Sequence, residues 1–303
     1  MLNYNRLSKK PLLFRSFTGL ELSEFDSICK EVESRYPQYE IKRLSKRKRT
    51  RKVGAGNHFK LKVRDRFLML LVYYKLYITH TLAGFLFDLD QSNVHRDTRY
   101  MEPVVESCIP LPSKLYNITK RLRTVEEVEQ YFPGFKAFID CTEQEIQRPK
   151  NKRKRKNYYS GKKKKHTVKT QYMVNKKGEI LHKSNKHKKG KQHDYSVYKD
   201  EHPLTPSQVE NYCDLGYYGI EKDFPDLKSV LPVKKKRKIE HIRTEKRYNK
   251  KHSKQRVIVE HTICKIKKFG IMGSRYRNKL KRYDTISDIV SGLVNYRIIH
   301  RKR

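Results

Sequence analysis

Tryptophan is absent from this 303-residue chain and acid is scarce: 32 Asp and Glu stand against 72 Lys and Arg, a formal net charge of +40. Such an imbalance predicts attraction to a polyanion, with nucleic acid the first candidate and an anionic membrane surface the rival. The membrane reading finds little support. The longest apolar stretch, FLMLLVYY from Phe67 to Tyr74, is far too short to span a bilayer. There is no sustained basic amphipathic helix and no lipidation motif, and the N-terminus has no apolar signal-peptide core. We therefore expect no membrane partner and a cytoplasmic chain drawn to the nucleoid. The five cysteines are scattered without a CxxC pair, which argues against a zinc or disulfide framework and for reduced thiols. With only 36% hydrophobic residues, the core must draw on 21 Tyr and 12 Phe.

The N-terminal part reads as helical. Thr18 and Glu21 match a capping box, and Leu22, Phe25, Cys29 and Val32 follow at helical spacing, so a helix is expected near 19–35. Residues 41–64 carry 11 Lys or Arg and no acid, with Gly54 and Gly56 as breakers. Such a strip serves equally as a solvated linker or as a phosphate contact. A second helix is expected over 60–77. Thr79 then caps a short helix through Phe87, Asp88 to Asp90 turn, and Gln91 to Tyr100 form the next helix. This is the layout of a helix-turn-helix, whose second helix reads the major groove. Gln91, Ser92, Asn93, His95 and Arg96 are the expected reading residues, since Gln, Asn and Arg pair with base edges. An ordinary helical hairpin fits the same loose pattern.

Pro103, Pro110 and Pro112 suggest a linker, and Val125–Tyr131 a short helix. From Phe135 the period changes. FKAFIDC, His166–Val174, 178–186 and QVENYCDLG read as strands, and 254–269 and 285–297 as helices. That order fits a ribonuclease-H-like α/β domain preceded by an all-α helix-turn-helix domain. The expected division is 1–60 for a helical, basic segment, 61–112 for the helix-turn-helix and 113–303 for the α/β domain.

Three acids stand out in so basic a chain. Asp140 closes an apolar strand, Asp214 ends a later strand, and Glu260 lies on the helix that follows. If these elements pack together, the three carboxylates meet at one edge, where hard cations such as Mg²⁺ bind with phosphate oxygens completing the shell. Two metals about 3.5–4 Å apart would clamp an in-line phosphoryl displacement. Each acid taken alone is an ordinary turn former, helix cap or solvated side chain. Residues 146–178 hold 14 Lys or Arg and no acid, with Tyr158, Tyr159, Lys162 and Lys163 among them. The segment reads as a DNA clamp or as a disordered lysine loop.

Four blocks together resemble the DDE-type transposases of bacterial insertion sequences, the group that includes the Harbinger elements. They are IDCTEQEIQRP at 139–149; YYSGKKKKHTVKTQYMV at 158–174 with GKQHDYSVY at 190–198; DLGYYGI at 214–220; and RVIVE with a following lysine, here Arg256, Glu260 and Lys267. The family often places Tyr three positions before that arginine, where this chain has Ser253. The resemblance implies that Asp140, Asp214 and Glu260 form a catalytic triad holding Mg²⁺, with Mn²⁺ an acceptable substitute. It implies DNA contacts by Arg256 and Lys267, although Arg256 also has the spacing of a helical ion pair with Glu260. It marks His193 and Asp194 as secondary candidates near the site, with an N-cap role for Asp194 as the plain alternative. The implied activity is cleavage and transfer of double-stranded DNA at terminal inverted repeats and target, by a homodimer or higher assembly on DNA. A domesticated DNA-binding factor without catalysis and a basic RNA-binding protein are the competing readings; no RNA-module signature supports the last.

Overall fold

The computed structural model describes residues 1–46, 52, 55, 56, 58–235 and 239–301. Gly54, most of the central part of the 41–64 strip and Lys236, Arg237 and Lys238 of a further basic stretch at 234–257 lie outside the described residues. The chain divides into two compact units: residues 1–110, 268–273 and 285–303 form one, and 111–267 with 274–284 form the other.

The first unit begins with α1 (Tyr4–Leu7), α2 (Pro11–Thr18), α3 (Leu22–Leu44), α4 (Val63–Leu76), α5 (His80–Phe87) and α6 (Gln91–Cys108). Every residue of α4 from Arg66 to Tyr74 is buried, as expected of a helix that is apolar on all sides. Phe25 stacks on Phe67 with ring centres 4.9 Å apart, and Phe14 meets Phe25 edge-on at 5.1 Å. Arg66, 1% exposed, ties three helices together. Its Nη1 donates to the Tyr36 hydroxyl at 2.5 Å, its Nε lies 3.3 Å from Asp97, and its guanidinium rests 3.7 Å from the Phe59 ring centre. A buried arginine is tolerable only with such partners.

Two sequence expectations need correction here. The capping box of α3 is Glu21 with Glu24, not Thr18 with Glu21. Thr18 ends α2 instead, where its hydroxyl donates to the Phe14 carbonyl at 2.7 Å and Gly19 follows at φ +79°. Pro103 lies inside α6, which runs eight residues beyond the expected Tyr100, while Pro112 starts the next helix. Proline at N1 costs no hydrogen bond, so Pro112 marks a beginning rather than a linker.

The second unit opens with α7 (Pro112–Thr119) and α8 (Val125–Tyr131), the latter held by a capping box of Thr124 and Glu127. A seven-stranded mixed sheet follows. Its strands are β1 (Lys136–Glu145), β2 (Tyr159–Ser160), β3 (Lys165–Asn175), β4 (Ile180–Lys183), β5 (Lys188–Lys189), β6 (Glu210–Tyr212) and β7 (Ser229–Val230). β1 is antiparallel to β3 and parallel to β6, and β6 is parallel to β7. β2, β5 and β4 line the other edge of β3. Three helices interrupt the strands: α9 (Lys152–Tyr158), α10 (Asp194–Glu201) and α11 (Ile220–Asp223); a 3₁₀ turn covers Leu215–Tyr217. α12 (Arg243–Lys267) packs on β1, β3 and β6. This is the expected mixed α/β class.

Strand alternation gives the sheet two different faces. Ala137 and Ile139 join Met173, Leu181, Tyr198, Val209, Cys213 and Tyr217 in one apolar core. On the opposite face Phe138 meets Tyr212, and Tyr212 meets His252 of α12. Gly178, at φ +84°, completes the β3–β4 turn; a Cβ there would lie 2.8 Å from Thr262 Oγ1 of α12, so the turn and helix need this glycine.

The chain then returns to the first unit with α13 (Gly270–Gly273) and, from Thr285, α14 (Tyr283–Ile299). Ile286, Ile289, Val290, Leu293 and Val294 of α14 are buried, Asn295 Nδ2 donates to the Pro110 carbonyl at 3.1 Å, and Arg297 lies 3.4 Å from Glu24. Among the described residues no helix is long and apolar enough to cross a membrane.

The α5–α6 turn depends on a close approach. The Gly84 carbonyl accepts from Leu89 N at 2.9 Å, and a Cβ on Gly84 would lie 2.4 Å from the Leu89 carbonyl oxygen. Gly84→Ala should therefore destabilise the first unit by about 1–3 kcal/mol, the usual range for overpacking. A lowered urea midpoint for that unit's transition, with the second unit's transition unmoved, is the expected result.

Candidate active site and nucleic-acid interface

In the first unit, the hydroxyl of Thr79 accepts from Leu82 N to start α5, and Asp88 takes the left-handed conformation to end it. Asp90 then caps α6 by accepting from Ser92 N at 2.8 Å. This capping fixes which side of α6 faces water. Gln91, Ser92, Asn93, His95 and Arg96 are exposed, while Val94, Asp97 and Thr98 are buried. Three of the five are engaged locally: the Thr81 hydroxyl donates to Gln91 Oε1 at 3.1 Å, the Ser92 hydroxyl donates to Asp90, and the His95 ring meets His80 edge-on. Arg96 shares its exposed face with Asn93, three residues earlier on the helix.

In the second unit, Asp140 sits in the middle of the ten-residue β1 rather than at its end. β1 extends because Thr142 to Glu145 pair with Thr167 to Thr170 of β3, a polar stretch whose strand character is supplied by its partner. Asp214 lies two residues past β6 and caps the 3₁₀ turn, accepting from Gly216 N at 2.8 Å. β1 and β6 are parallel neighbours, so these two acids come to one region of the sheet.

The electrostatics report that proximity. Burial pushes the Asp140 carboxyl up to about 6, and the charges of Asp214 and Asp194 push the same way against the pull of Arg256. Arg256 Nη2 lies 3.5 Å from Asp140 Oδ1, so this arginine pairs across to β1 and not with Glu260 along its own helix. Glu260 is exposed one turn beyond Arg256 on α12, with no hydrogen bond or ion pair of its own among the described residues. Lys267 ends the helix; burial and the nearby Lys163 ammonium hold it below its usual range. Among the described residues no three His, Cys, Asp or Glu side chains are arranged to hold a metal ion.

The structure thus brings together Asp140, Asp214, Asp194 and Arg256, and it brings Lys163 to Lys267. His193 is the exposed N-cap position of α10 and offers no side-chain cap; Asp194 is the first helical residue and not the cap. The lysine-rich stretch of 146–178 is an ordered helix and hairpin rather than a disordered loop. Asn151 caps α9, and Ser160 Oγ accepts from Lys163 N at 3.1 Å in the β2–β3 turn that carries exposed Lys162 and Lys163. Three residues at the site were not singled out from sequence: Lys169, Glu143 and Gly216. A lysine between Val168 and Thr170 in an otherwise buried strand was the available signal.

The raised Asp140 has a stability consequence. An acid with a raised folded pKa favours the fold below its ordinary value of 3.8, and that contribution is lost as pH rises through about 6. Asp140→Asn should therefore stabilise the second unit at pH 8 in EDTA, by up to about 3 kcal/mol, since each pKa unit is worth about 1.4 kcal/mol. The gain should vanish toward pH 4, as read by denaturant melts across that range.

Comparison with known proteins places the chain in a family. Residues 139–295 match the family model of the DDE superfamily endonuclease, and residues 59–111 match the helix-turn-helix of DDE superfamily endonuclease. The chain is 30% identical over 251 residues to a "Probable transposase for insertion sequence element IS702" of Microchaete diplosiphon, covering 82% of this chain and 85% of that relative. No solved structure matches the chain. With its helix-turn-helix followed by an α/β domain that bears Asp140 and Asp214, the chain belongs to the DDE superfamily of endonucleases, among the transposases of insertion sequences.

Proposed function

We propose that this protein binds the terminal inverted repeats of a mobile element, cuts DNA at the element ends and joins the freed ends to target DNA. The observation that carries this reading is the meeting of Asp140 and Asp214 beneath a helix that bears Arg256, Glu260 and Lys267. The chemistry of the donors suits a hard cation: Asp140 and Asp214 come from neighbouring parallel strands and offer carboxylate oxygens.

Asp140, Asp214 and Glu260 would hold Mg²⁺, or Mn²⁺ in its place, which when bound supplies charge neutralisation and Lewis acidity at the scissile phosphate. Arg256 pairs with Asp140 and would offer a cation to the phosphate backbone. Lys267, with Lys162 and Lys163 of the β2–β3 turn, extends a positive track away from the carboxylates. A lowered Lys267 pKa fits a group that gains by meeting a phosphate. His193 and Asp194 stand beside this track and site.

We assign sequence reading to Gln91, Ser92, Asn93, His95 and Arg96 on α6, within a binding region of about residues 61–112, and catalysis to 113–303. Holding two element ends at once calls for a dimer or larger assembly on DNA, formed in the cytoplasm at the nucleoid.

A labelled duplex ending in the element's terminal repeat, incubated with Mg²⁺, Mn²⁺ or EDTA, tests the reading. Metal-dependent nicking at the repeat boundary is expected for the wild type and should be lost in Asp214→Asn, with repeat binding retained. Binding should weaken with salt at a log–log slope near −7 if about eight phosphates are engaged. Unchanged nicking in Asp214→Asn would overturn the assignment of the site. Tight binding without any nick, even with two repeat ends joined in one substrate, would point to a DNA-binding relic.

A further inference from the structure

We propose that Lys169 is a positioning residue: it pins Asp194 against the Gly216 turn, and that turn fixes the direction of the Asp214 carboxylate. The inference rests on the reading of Asp140 and Asp214 as the cation-binding site.

Lys169 lies on β3 directly opposite Glu143 of β1 and is 6% exposed. A buried ammonium persists only where acceptors surround it. Lys169 Nζ donates to Asp194 Oδ1 at 2.5 Å and to the Gln192 carbonyl at 2.7 Å, and it lies 3.6 Å from Glu143 Oε1. Two of the three ammonium protons are thus used in hydrogen bonds, and the charge of Glu143 stands beside the group, so its orientation is restricted. Burial opposes the charge, yet the bond and charge of Asp194 and the charge of Glu143 hold Lys169 above its usual range. Glu143 is fixed in turn by the Thr167 hydroxyl, which donates to it at 2.8 Å.

With Oδ1 held by Lys169, Asp194 turns its other oxygen toward Gly216. A Cβ on Gly216 would lie 3.3 Å from Asp194 Oδ2 and 2.8 Å from Asp214 Oδ1. The two carboxylates therefore close on the same glycine, with no room for a side chain between them. Gly216 N donates to Asp214 Oδ1, so the position of this turn sets where Asp214 points. The path from Lys169 through Asp194 and Gly216 to Asp214 is continuous. Without the ammonium, Asp194 would stand near Asp140 and Asp214 with its main counter-charge gone. Repulsion would drive it toward water and release the turn.

The test is a Mn²⁺ titration of the full chain by electron paramagnetic resonance, beside thermal melts, on wild type, Lys169→Met, Asp194→Asn, the double variant, Lys169→Arg and Asp214→Asn. Partners that orient a metal ligand typically cost about 10- to 100-fold in metal affinity when lost. Lys169→Met and Asp194→Asn should each weaken Mn²⁺ binding about tenfold or more. The double variant, which leaves no unpaired Asp194 charge to disturb folding, should bind no more weakly than the worse single variant, because both act along one path. Lys169→Arg should restore most of the affinity. A melting temperature lowered in Lys169→Met with Mn²⁺ affinity unchanged would show a purely structural ion pair and overturn the proposal. So would additive losses in the double variant. Weakened binding in Asp214→Asn with none in Lys169→Met overturns the Lys169 role alone. Unchanged binding in both overturns the site reading and this proposal with it.

Discussion

Like charges held close together at one place on a sheet are the constraint on which the second unit depends. Asp140, Asp214 and Asp194 approach one another near neighbouring parallel strands, and water is largely excluded from Asp140. Left alone, such a group would protonate or spread apart. Two cations prevent that from different sides. Lys169 stands on the core side of the sheet and fixes Asp194, and Arg256 reaches from α12 to Asp140. The fold is therefore built around a site that costs stability, and the surrounding apolar core of Ile139, Met173, Tyr198, Cys213 and Tyr217 offsets that cost.

The same logic separates the two units. In the first unit the buried charge of Arg66 faces inward partners only: it donates to Tyr36, lies beside Asp97 and rests on Phe59, which joins α3, α4 and α6. In the second the carboxylates keep spare acceptor capacity, and the lysines of the β2–β3 turn remain exposed. Groups turned wholly inward hold a fold together; groups left at an accessible place are those able to meet a phosphate or a cation. The chain as a whole carries a formal charge of +40, and α6 leaves Gln91, Ser92, Asn93, His95 and Arg96 exposed on one helix.

Much of the local structure was legible because it depends on nearest neighbours. Thr79 announces a helix start through the side-chain oxygen that takes a free amide, while the same role of Asp90 and Thr124 emerges only in the structure. The all-apolar run at 67–74 announces a central helix. Errors arose where two local signals competed. Thr18 and Glu21 fitted a capping box, but Glu21 paired with Glu24 instead, because Thr18 was already bonded to Phe14. Pro103 suggested a break, yet α6 continues through it. The β1 strand ran past its apolar half, since β3 supplies partners to Thr142 through Glu145.

The sequence by itself determined the class of the chain, its strong positive charge, the helix-turn-helix and the order of the main strands and the helix that follows them. Composition, caps and periodicity act locally and leave a local trace. Only the tertiary structure decided what meets at the site. That Arg256 turns to Asp140 rather than to Glu260, that Lys169 and Asp194 join across 25 residues, and that α14 beyond Tyr283 and Asp284 returns to the first unit are matters of strand register and helix packing. Register pairs residues distant in sequence through backbone hydrogen bonds that any side chain can make, so the partners of Lys169 could not be read from the residues beside it.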